Sequence, residues 1–393
     1  MADRPAGLRA AEASDWGSAA EAEPLGAGDP ALRLATPRVG LVEGDGDPNW
    51  EIAGLPLGER TRRALAAVGL ASGHANGSRL LVAGDALLEP AAIEALMARP
   101  HSHDAAVAPV NWRGGLAALW VPADTPVPSD AGGLRALAER FRSSQRLRLV
   151  DPGEARCERI RSVEDAERVH AEMLASLPQP TDGFFARYFD RRISIRLSVE
   201  LVRRGVAPNL ITGVATAVGL LGAAMLASSL HGLQVLGALL FVLSTILDGC
   251  DGEVARLSLR MTELGRKLDL IGDNVVHVAV FVAIGHLALG SNPGLPMLAA
   301  VGATLFGVMA AIVAGFWYLG WLARSGRPEA ILHRYEALLS RDWAYVVLLL
   351  ALVGQLPLLI WGAALGSNAV AAALLLLRVK QWPPLPSRGH YQD

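Results

Sequence analysis

Between two strongly apolar stretches the chain carries Asp248, Asp251, Arg256, Asp269 and Asp273, with glycines at Gly252 and Gly265. Asp248 and Asp251 stand three residues apart and Asp269 and Asp273 four apart, so on helices each pair shares one face. Two helix ends presenting paired carboxylates make an all-oxygen cage for one or two hard divalent cations, which favours Mg²⁺ or Mn²⁺. A cation there polarises a phosphoryl oxygen, and a carboxylate not consumed as a ligand accepts the proton of an attacking hydroxyl. That combination is phosphoryl transfer to an alcohol. Asp248, Asp251, Asp269 and Asp273 are therefore candidate metal ligands, and Asp273, last in the series, is also the candidate base. Gly252 and Gly265 leave the backbone open to a bulky phosphate or a neighbouring helix. Arg256 is suited to neutralising phosphate charge, with a salt bridge to Asp248 or Asp251 as its structural alternative. Ionisable groups at the edge of a hydrocarbon layer are costly, and four acids in so short a stretch exceed what helix capping needs.

The elements that must hold these residues follow from composition. The chain has 393 residues, 52% hydrophobic and 19% charged, which describes part membrane protein and part soluble protein. Charge divides near residue 180: residues 1–180 carry −6 and residues 181–393 carry +4, together the overall −2. Cys157 and Cys250 fall in different halves, so neither a disulfide framework nor a cysteine-based zinc site is expected. The N-terminus lacks the apolar core of a signal peptide, which places the first domain in the cytoplasm as an expectation.

A membrane helix needs about 20 mostly apolar residues. Six candidate spans satisfy or approach that length, near Asn209–Leu230, Leu233–Leu247, Leu268–Leu289, Leu295–Leu322, Trp343–Leu358 and Leu359–Leu377. The last two are divided at either Gly354-Gln355-Leu356-Pro357 or Gly366-Ser367-Asn368, both possible turns. Arginines and lysines lie before the first span, between the second and third, between the fourth and fifth, and after the sixth, while the opposite loops have none. By the positive-inside rule, both termini and the acidic motif are expected on the cytoplasmic side of a bacterial-type inner membrane. Residues 181–207 mix Phe184, Phe185, Tyr188 and Ile193 with six arginines. They read as an amphipathic helix lying in the interface, its arginines facing lipid phosphates, or as a positive flank with no ligand. Pro208 then opens the first span.

With its spacing in view, the motif resembles the signature of the CDP-alcohol phosphatidyltransferase family, D-x2-D-G-x2-A-R-x8-G-x3-D-x3-D. Every fixed position is matched, by Asp248, Asp251, Gly252, Ala255, Arg256, Gly265, Asp269 and Asp273. So long a spaced pattern is specific. The resemblance covers about residues 181–380. It implies that the first three acids hold a divalent metal on the pyrophosphate of a CDP-linked donor, that the last acts with the metal or as base, and that CMP leaves. Pro208-Asn209 and Thr212 also resemble the start of that family's first span, where the nucleotide is contacted. Asn209 and Thr212 are therefore candidate substrate contacts, or simply a helix start. Relatives imply a homodimer.

The N-terminal half alternates short apolar runs with helical stretches, as an α/β domain does. Val39–Val42, Arg79–Ala83, 105–108 and Leu116–Val121 read as strands, and Arg60–Val68 and Pro90–Met97 as helices. The segments Ile52–Thr61 and Leu81-Val82-Ala83-Gly84-Asp85 resemble parts of the sugar-phosphate nucleotidyltransferase fold, in which the aspartate after the central strand binds metal. Here, however, the loop after the first strand is Glu43-Gly44-Asp45-Gly46-Asp47-Pro48, and residues 1–180 contain no lysine. Three acids there repel a triphosphate. The expectation is a degenerate, non-catalytic nucleotidyltransferase-like domain over residues 31–178. The fusion resembles archaeal bifunctional enzymes that make CDP-inositol in one domain and a phosphodiester of inositol in the other.

The fold expected is thus an α-helical integral membrane protein with six transmembrane helices over 208–380, preceded by a soluble α/β nucleotidyltransferase-like domain. Residues 1–30 and 381–393 read as a disordered segment and a loose tail. Asn76-Gly77-Ser78 reads as a surface turn, His101 and His103 as a solvated loop, and His277 as a packing residue. The partners expected are a CDP-linked donor, of the CDP-diacylglycerol or CDP-inositol type, a hydroxyl acceptor and the lipid bilayer, with no nucleic acid. Arg324, Arg327, Arg334 and Arg341 between the fourth and fifth spans favour an acceptor bearing its own phosphate, such as inositol phosphate or glycerol phosphate. Two other functions fit parts of the pattern: an aspartate-rich, Mg²⁺-dependent prenyl transferase, against which Arg256 and the glycines argue, and a non-catalytic membrane scaffold.

Overall fold

The computed structural model describes residues 38–70, 79–97, 106–110, 115–122, 125–178, 182–325 and 342–380. The expectations for residues 1–30, 381–393, Asn76-Gly77-Ser78, His101, His103, Arg327, Arg334 and Arg341 lie outside the described residues. The chain groups into two compact units. One holds the residues up to Ser176 with 199–204 and 256–260; the other holds 177–198, 205–255 and the residues from Met261 onward.

The first unit is built on a five-stranded mixed sheet in the order β1 (Arg38–Val42), β4 (Arg79–Ala83), β7 (Ala118–Val121), β6 (Ala106–Pro109) and β8 (Leu147–Val150). β1 runs parallel to β4 and β6 parallel to β8, while β7 is antiparallel to both of its neighbours. Leu80, Leu81, Val82 and Ala83 are buried without interruption, as a strand covered on both faces requires. Two small ladders flank this sheet, β2 (Glu51–Ile52) with β3 (Leu55–Pro56) and β5 (Ala86–Leu88) with β9 (Cys157–Arg159). Among the described residues, four helices complete the unit: α1 (Leu57–Ala67), α2 (Pro90–Met97), α3 (Ala131–Ser143) and α4 (Val163–Ala175). α3 and α4 start at side-chain caps, Asp130 accepting from the Gly133 amide and Ser162 from the Asp165 amide. The expected strands and both expected helices appear, while α3, α4, β2, β3, β5, β8 and β9 were not anticipated.

The β2–β3 turn holds Ala53 and Gly54 at φ 49° and 87°, the left-handed pair that a two-residue hairpin turn needs. Gly54 tolerates this, whereas Ala53 does so at a cost. The Ala53 amide is held by donation to His170 Nδ1 at 3.1 Å. Burial lowers the His170 pKa, and Arg203 and Arg60 push the same way against an opposing influence of Glu51. The neutral ring is therefore favoured by folding, and its contribution is present above the unfolded value of about 6.5 and lost as pH falls through the lower folded value. We expect the melting temperature to drop on acidification below about pH 6.5 and a His170→Gln protein to show a flatter profile over the same window. Identical profiles for the two proteins would contradict this.

The second unit is helical. After a five-residue π-helical turn, Ala186–Asp190, α5 (Arg191–Arg203) leads to α6 (Pro208–Leu226), α7 (His231–Leu257), α8 (Glu263–Ser291), α9 (Leu295–Ser325), α10 (Trp343–Val353) and α11 (Leu358–Lys380). Pro208 takes the first position of α6, where its missing N–H costs nothing. α6 and α7 touch backbone to backbone: a Cβ on Gly222 would lie 2.8 Å from the Gly237 carbonyl, and one on Gly237 would lie 2.6 Å from the Gly222 carbonyl. Small residues at such a crossing are how apolar helices gain close packing without a hydrophobic driving force. α9 and α11 are joined by polar groups, with Thr304 donating to Ile360 O at 3.0 Å and Asn368 to Ala303 O at 2.9 Å.

Among the described residues, five helices are long and apolar enough to cross a membrane, namely α6, α7, α8, α9 and α11. The expected six spans are not confirmed, because α10 is a shorter apolar helix. Its 11 residues rise only about 16 Å, well short of a hydrocarbon core of about 30 Å. Gly354, at φ 70°, ends α10 in a left-handed cap, so the division between the last two helices falls at 354–357 and Gly366-Ser367-Asn368 stays inside α11. The stretch read as one interfacial helix is helical over 184–203, with a π-helical segment at Ala186–Asp190. Phe185 stacks on Tyr345 with centroids 4.4 Å apart, and the Tyr345 hydroxyl donates to Asp190. Phe184, Tyr188, Phe189 and Ile193 are exposed.

Candidate metal centre

The acids come together where α7 ends and α8 begins. Asp248 and Asp251 occupy the penultimate turns of α7 and are buried; Asp269 lies on the second turn of α8. One carboxylate oxygen from each of the three falls within 4.8 Å of the others. Three hard anionic donors at that separation fit an oxygen-coordinated Mg²⁺ or Mn²⁺ and do not suit a metal that needs nitrogen or sulfur. Asp273 stands one helical turn beyond Asp269 on the same face of α8, half-buried, and is not one of the three.

α6 and α8 hold the trio in place from the sequence upward. Thr262 caps α8 by accepting from the Gly265 amide at 3.0 Å. Gly265 is needed for approach: a Cβ there would lie 2.8 Å from Asn209 Oδ1 and 3.0 Å from Thr262 Oγ1. Gly272, two turns on, faces Thr216 of α6 in the same way, with a Cβ predicted 2.5 Å from its hydroxyl. The Thr212 hydroxyl donates to Asp251 Oδ2, so a residue read as a substrate contact spends its proton on a candidate ligand. Asn209 lies against Gly265 at the mouth of the same helix pair. Gly252 is half-buried on α7, and Arg256 is half-buried on its last turn. His277 packs its ring edge-on to Trp343 and Phe241, at 5.2 Å and 6.3 Å.

One motif residue was passed over in the sequence. Glu253, an unconstrained position of the spaced pattern, is fully buried and accepts from Arg191 Nη1 at 2.6 Å and from Ser194 and Ser198, each at 2.7 Å. The sequence signal available was Ser194 and Ser198 at i, i+4 on a helix otherwise rich in arginine.

In the first unit, Asp85, the aspartate after the central strand, is fully buried and already engaged. Arg159 grips both its oxygens, Nε to Oδ1 at 2.8 Å and Nη2 to Oδ2 at 2.5 Å, and the amides of Asp45 and Gly46 donate to Oδ2 at 3.1 and 3.0 Å. Burial acts to lower the Arg159 pKa, but Asp85 and Asp45 outweigh it and hold the guanidinium above its ordinary value. A Cβ at Gly44 would strike the Asp85 carboxylate at 2.6 Å, so the glycine loop is wrapped around this side chain. The backbone nest that such a loop offers an anion is filled by the protein's own carboxylate.

Residues 205–377 match the family described as CDP-alcohol phosphatidyltransferase. Among curated proteins, the chain is similar to the bifunctional IPC transferase and DIPP synthase of Archaeoglobus fulgidus, 36% identical over 143 residues that make up 36% of this chain and 28% of that protein. The protein of the same description from Thermococcus kodakarensis is 39% identical over 108 residues, 28% of this chain and 24% of its own. That from Rubrobacter xylanophilus is 32% identical over 200 residues, 50% and 43% respectively. The chain thus spans less than half the length of each of these relatives.

Proposed function

We propose that the protein, whose residues 205–377 match the CDP-alcohol phosphatidyltransferase family, is an integral membrane transferase. It moves a phosphoryl-alcohol group from a CDP-linked donor to a hydroxyl acceptor and releases CMP. The observation that carries this reading is the meeting of Asp248, Asp251 and Asp269 across two adjacent apolar helices. A divalent ion held by these three supplies Lewis-acid polarisation and charge neutralisation on the donor pyrophosphate.

The chain's own residues do the rest. The acceptor oxygen bonds to the phosphorus bearing the donor's alcohol, the bond from that phosphorus to the bridging oxygen breaks, and CMP departs with the electron pair. Asp273, one turn beyond Asp269 on the same face of α8, takes the acceptor's proton. Thr212 orients Asp251, Gly252 and Gly265 leave room for phosphate and for Asn209, and Arg256 offsets phosphate charge. Donors of the CDP-diacylglycerol or CDP-inositol type suit the family. The arginines at 324, 327, 334 and 341 favour an acceptor carrying phosphate.

The lysine and arginine distribution supports a cytoplasmic site and cytoplasmic termini. The exposed ring of Phe184, Tyr188, Phe189 and Ile193 supports seating of the 182–203 segment in the lipid interface. The first unit is read as a nucleotidyltransferase-like domain without catalysis, because Arg159 and the loop amides consume Asp85.

The test is CMP release by the purified chain with Mg²⁺, CDP-diacylglycerol or CDP-inositol, and a panel of acceptors, beside Asp273→Asn. Wild-type release is expected with one pairing, falling about 10²–10⁴-fold in the variant as loss of a general base does. Absence of CMP from both donors with every acceptor sinks the reading.

A further inference from the structure

α7 carries different chemistry on its two sides. At about 100° per residue, Asp248 and Asp251 lie roughly 60° apart around the helix axis, and Cys250 and Glu253 lie on the opposite side. On the acid side, the Thr212 hydroxyl of α6 donates to Asp251. The other side is held by α5. Glu253 accepts from Arg191, Ser194 and Ser198, Ser198 also reaches Cys250 O at 3.4 Å, and Cys250 Sγ approaches Ser194 O at 3.7 Å. Arg191 is in turn gripped by both oxygens of Asp182, at 2.7 and 2.8 Å.

Simple packing does not call for this arrangement. A fully buried carboxylate brings a desolvation penalty that apolar side chains of similar volume avoid, so a buried ionic network is weak evidence of stability and its best-attested use is to fix one register. The network here has directional partners on a single helix, two hydroxyls at i, i+4 and a guanidinium three residues earlier. They fit Glu253 at one rotation of α7 only. A binding constellation needs its groups held within about 0.5 Å, which a helix free to turn about its axis does not provide.

We propose that Glu253 is a positioning residue: locked by Arg191, Ser194 and Ser198, it fixes the rotation of α7 so that Asp248 and Asp251 face Asp269. Its carboxylate points away from the trio and takes no part in ligation. The inference rests on the metal-binding reading of the three aspartates.

The test uses the purified full chain and Mn²⁺ as probe, with binding followed by the loss of the free-ion paramagnetic resonance signal, and the Mg²⁺ requirement of CMP release measured alongside. For Glu253→Gln, which keeps shape and removes charge, Mn²⁺ affinity is expected to weaken about 10–100-fold, as for loss of an outer partner of a metal ligand. The Ser194→Ala/Ser198→Ala double variant keeps both charges and is expected to weaken it about tenfold. A purely structural role lowers the yield of folded protein while the folded fraction binds Mn²⁺ as wild type does, and that result overturns the proposal. If Glu253→Gln does not fold, the serine variant decides alone: weakened binding supports the proposal and unchanged binding overturns it. Wild-type protein that binds no Mn²⁺ overturns this inference together with the proposed function, whereas wild-type binding matched by both variants overturns this inference only.

Discussion

Asp251→Asn is expected to lower CMP release by about a thousandfold and to abolish measurable Mg²⁺ dependence. A ligand set of three carboxylates neutralises a dication's charge, and an amide in place of one of them removes a full negative charge while keeping the shape. A metal ion contributes several kcal/mol of transition-state stabilisation, and about 4 kcal/mol corresponds to three orders of magnitude in rate. Asp251 is also the acid that accepts the Thr212 hydroxyl, so Thr212→Val gives an internal scale. Removing the hydroxyl while keeping all three carboxylates should cost about 10–100-fold. Steady-state CMP release at saturating and limiting Mg²⁺ checks both. An Asp251→Asn protein that kept a tenth of the wild-type rate would remove Asp251 from the metal set.

The largest effect on stability is expected at Asp85. Truncating one partner of a buried ion pair typically costs about 3–5 kcal/mol, because the other charge is left buried and uncompensated. In Asp85→Ala that other charge is Arg159, whose side chain is 6% exposed and keeps the 3.0 Å ion pair to the more exposed Asp45, and the amides of Asp45 and Gly46 lose their acceptor as well. Hydrogen exchange of β4 and β7 peptides in the full chain should accelerate sharply. Pairing Asp85→Leu with Arg159→Met should recover much of the protection, since removing both charges takes away the penalty that removing one creates. Unchanged exchange in Asp85→Ala would mean that the pair is not what holds the glycine loop to the sheet.

The acid motif was legible in the sequence because its chemistry is local: residues at i, i+3 and i, i+4 share a helix face whatever the surrounding fold. The apolar runs of α6 to α9 were legible for the same reason, length and composition sufficing. What the sequence did not disclose depends on contacts between distant segments. Glu253 looked like filler in a spaced pattern, and its role depends on serines 55 and 59 residues away. Asp85 looked like a metal ligand after a central strand until Arg159, 74 residues on, was seen to hold it. The shortness of α10 turned on Gly354, one of two equally plausible turns, and only the left-handed cap distinguishes them. β8, β9, α3 and α4 were missed because their short, mixed-polarity runs carry little periodicity.

The length of α7 has one further consequence. Its 27 residues rise about 40 Å, some 10 Å more than the hydrocarbon layer; counted from His231, Asp251 falls at the far edge of that layer and Asp248 one turn inside it. Carboxylates at that depth stand at the boundary between hydrocarbon and headgroups. Under the proposed function, a donor anchored by acyl chains would arrive by lateral diffusion within the leaflet, its pyrophosphate close to the height of the acids, while a water-soluble acceptor would arrive from the other side of the same plane. Turnover on such a donor should follow its mole fraction in the bilayer and stay indifferent to dilution of the vesicles.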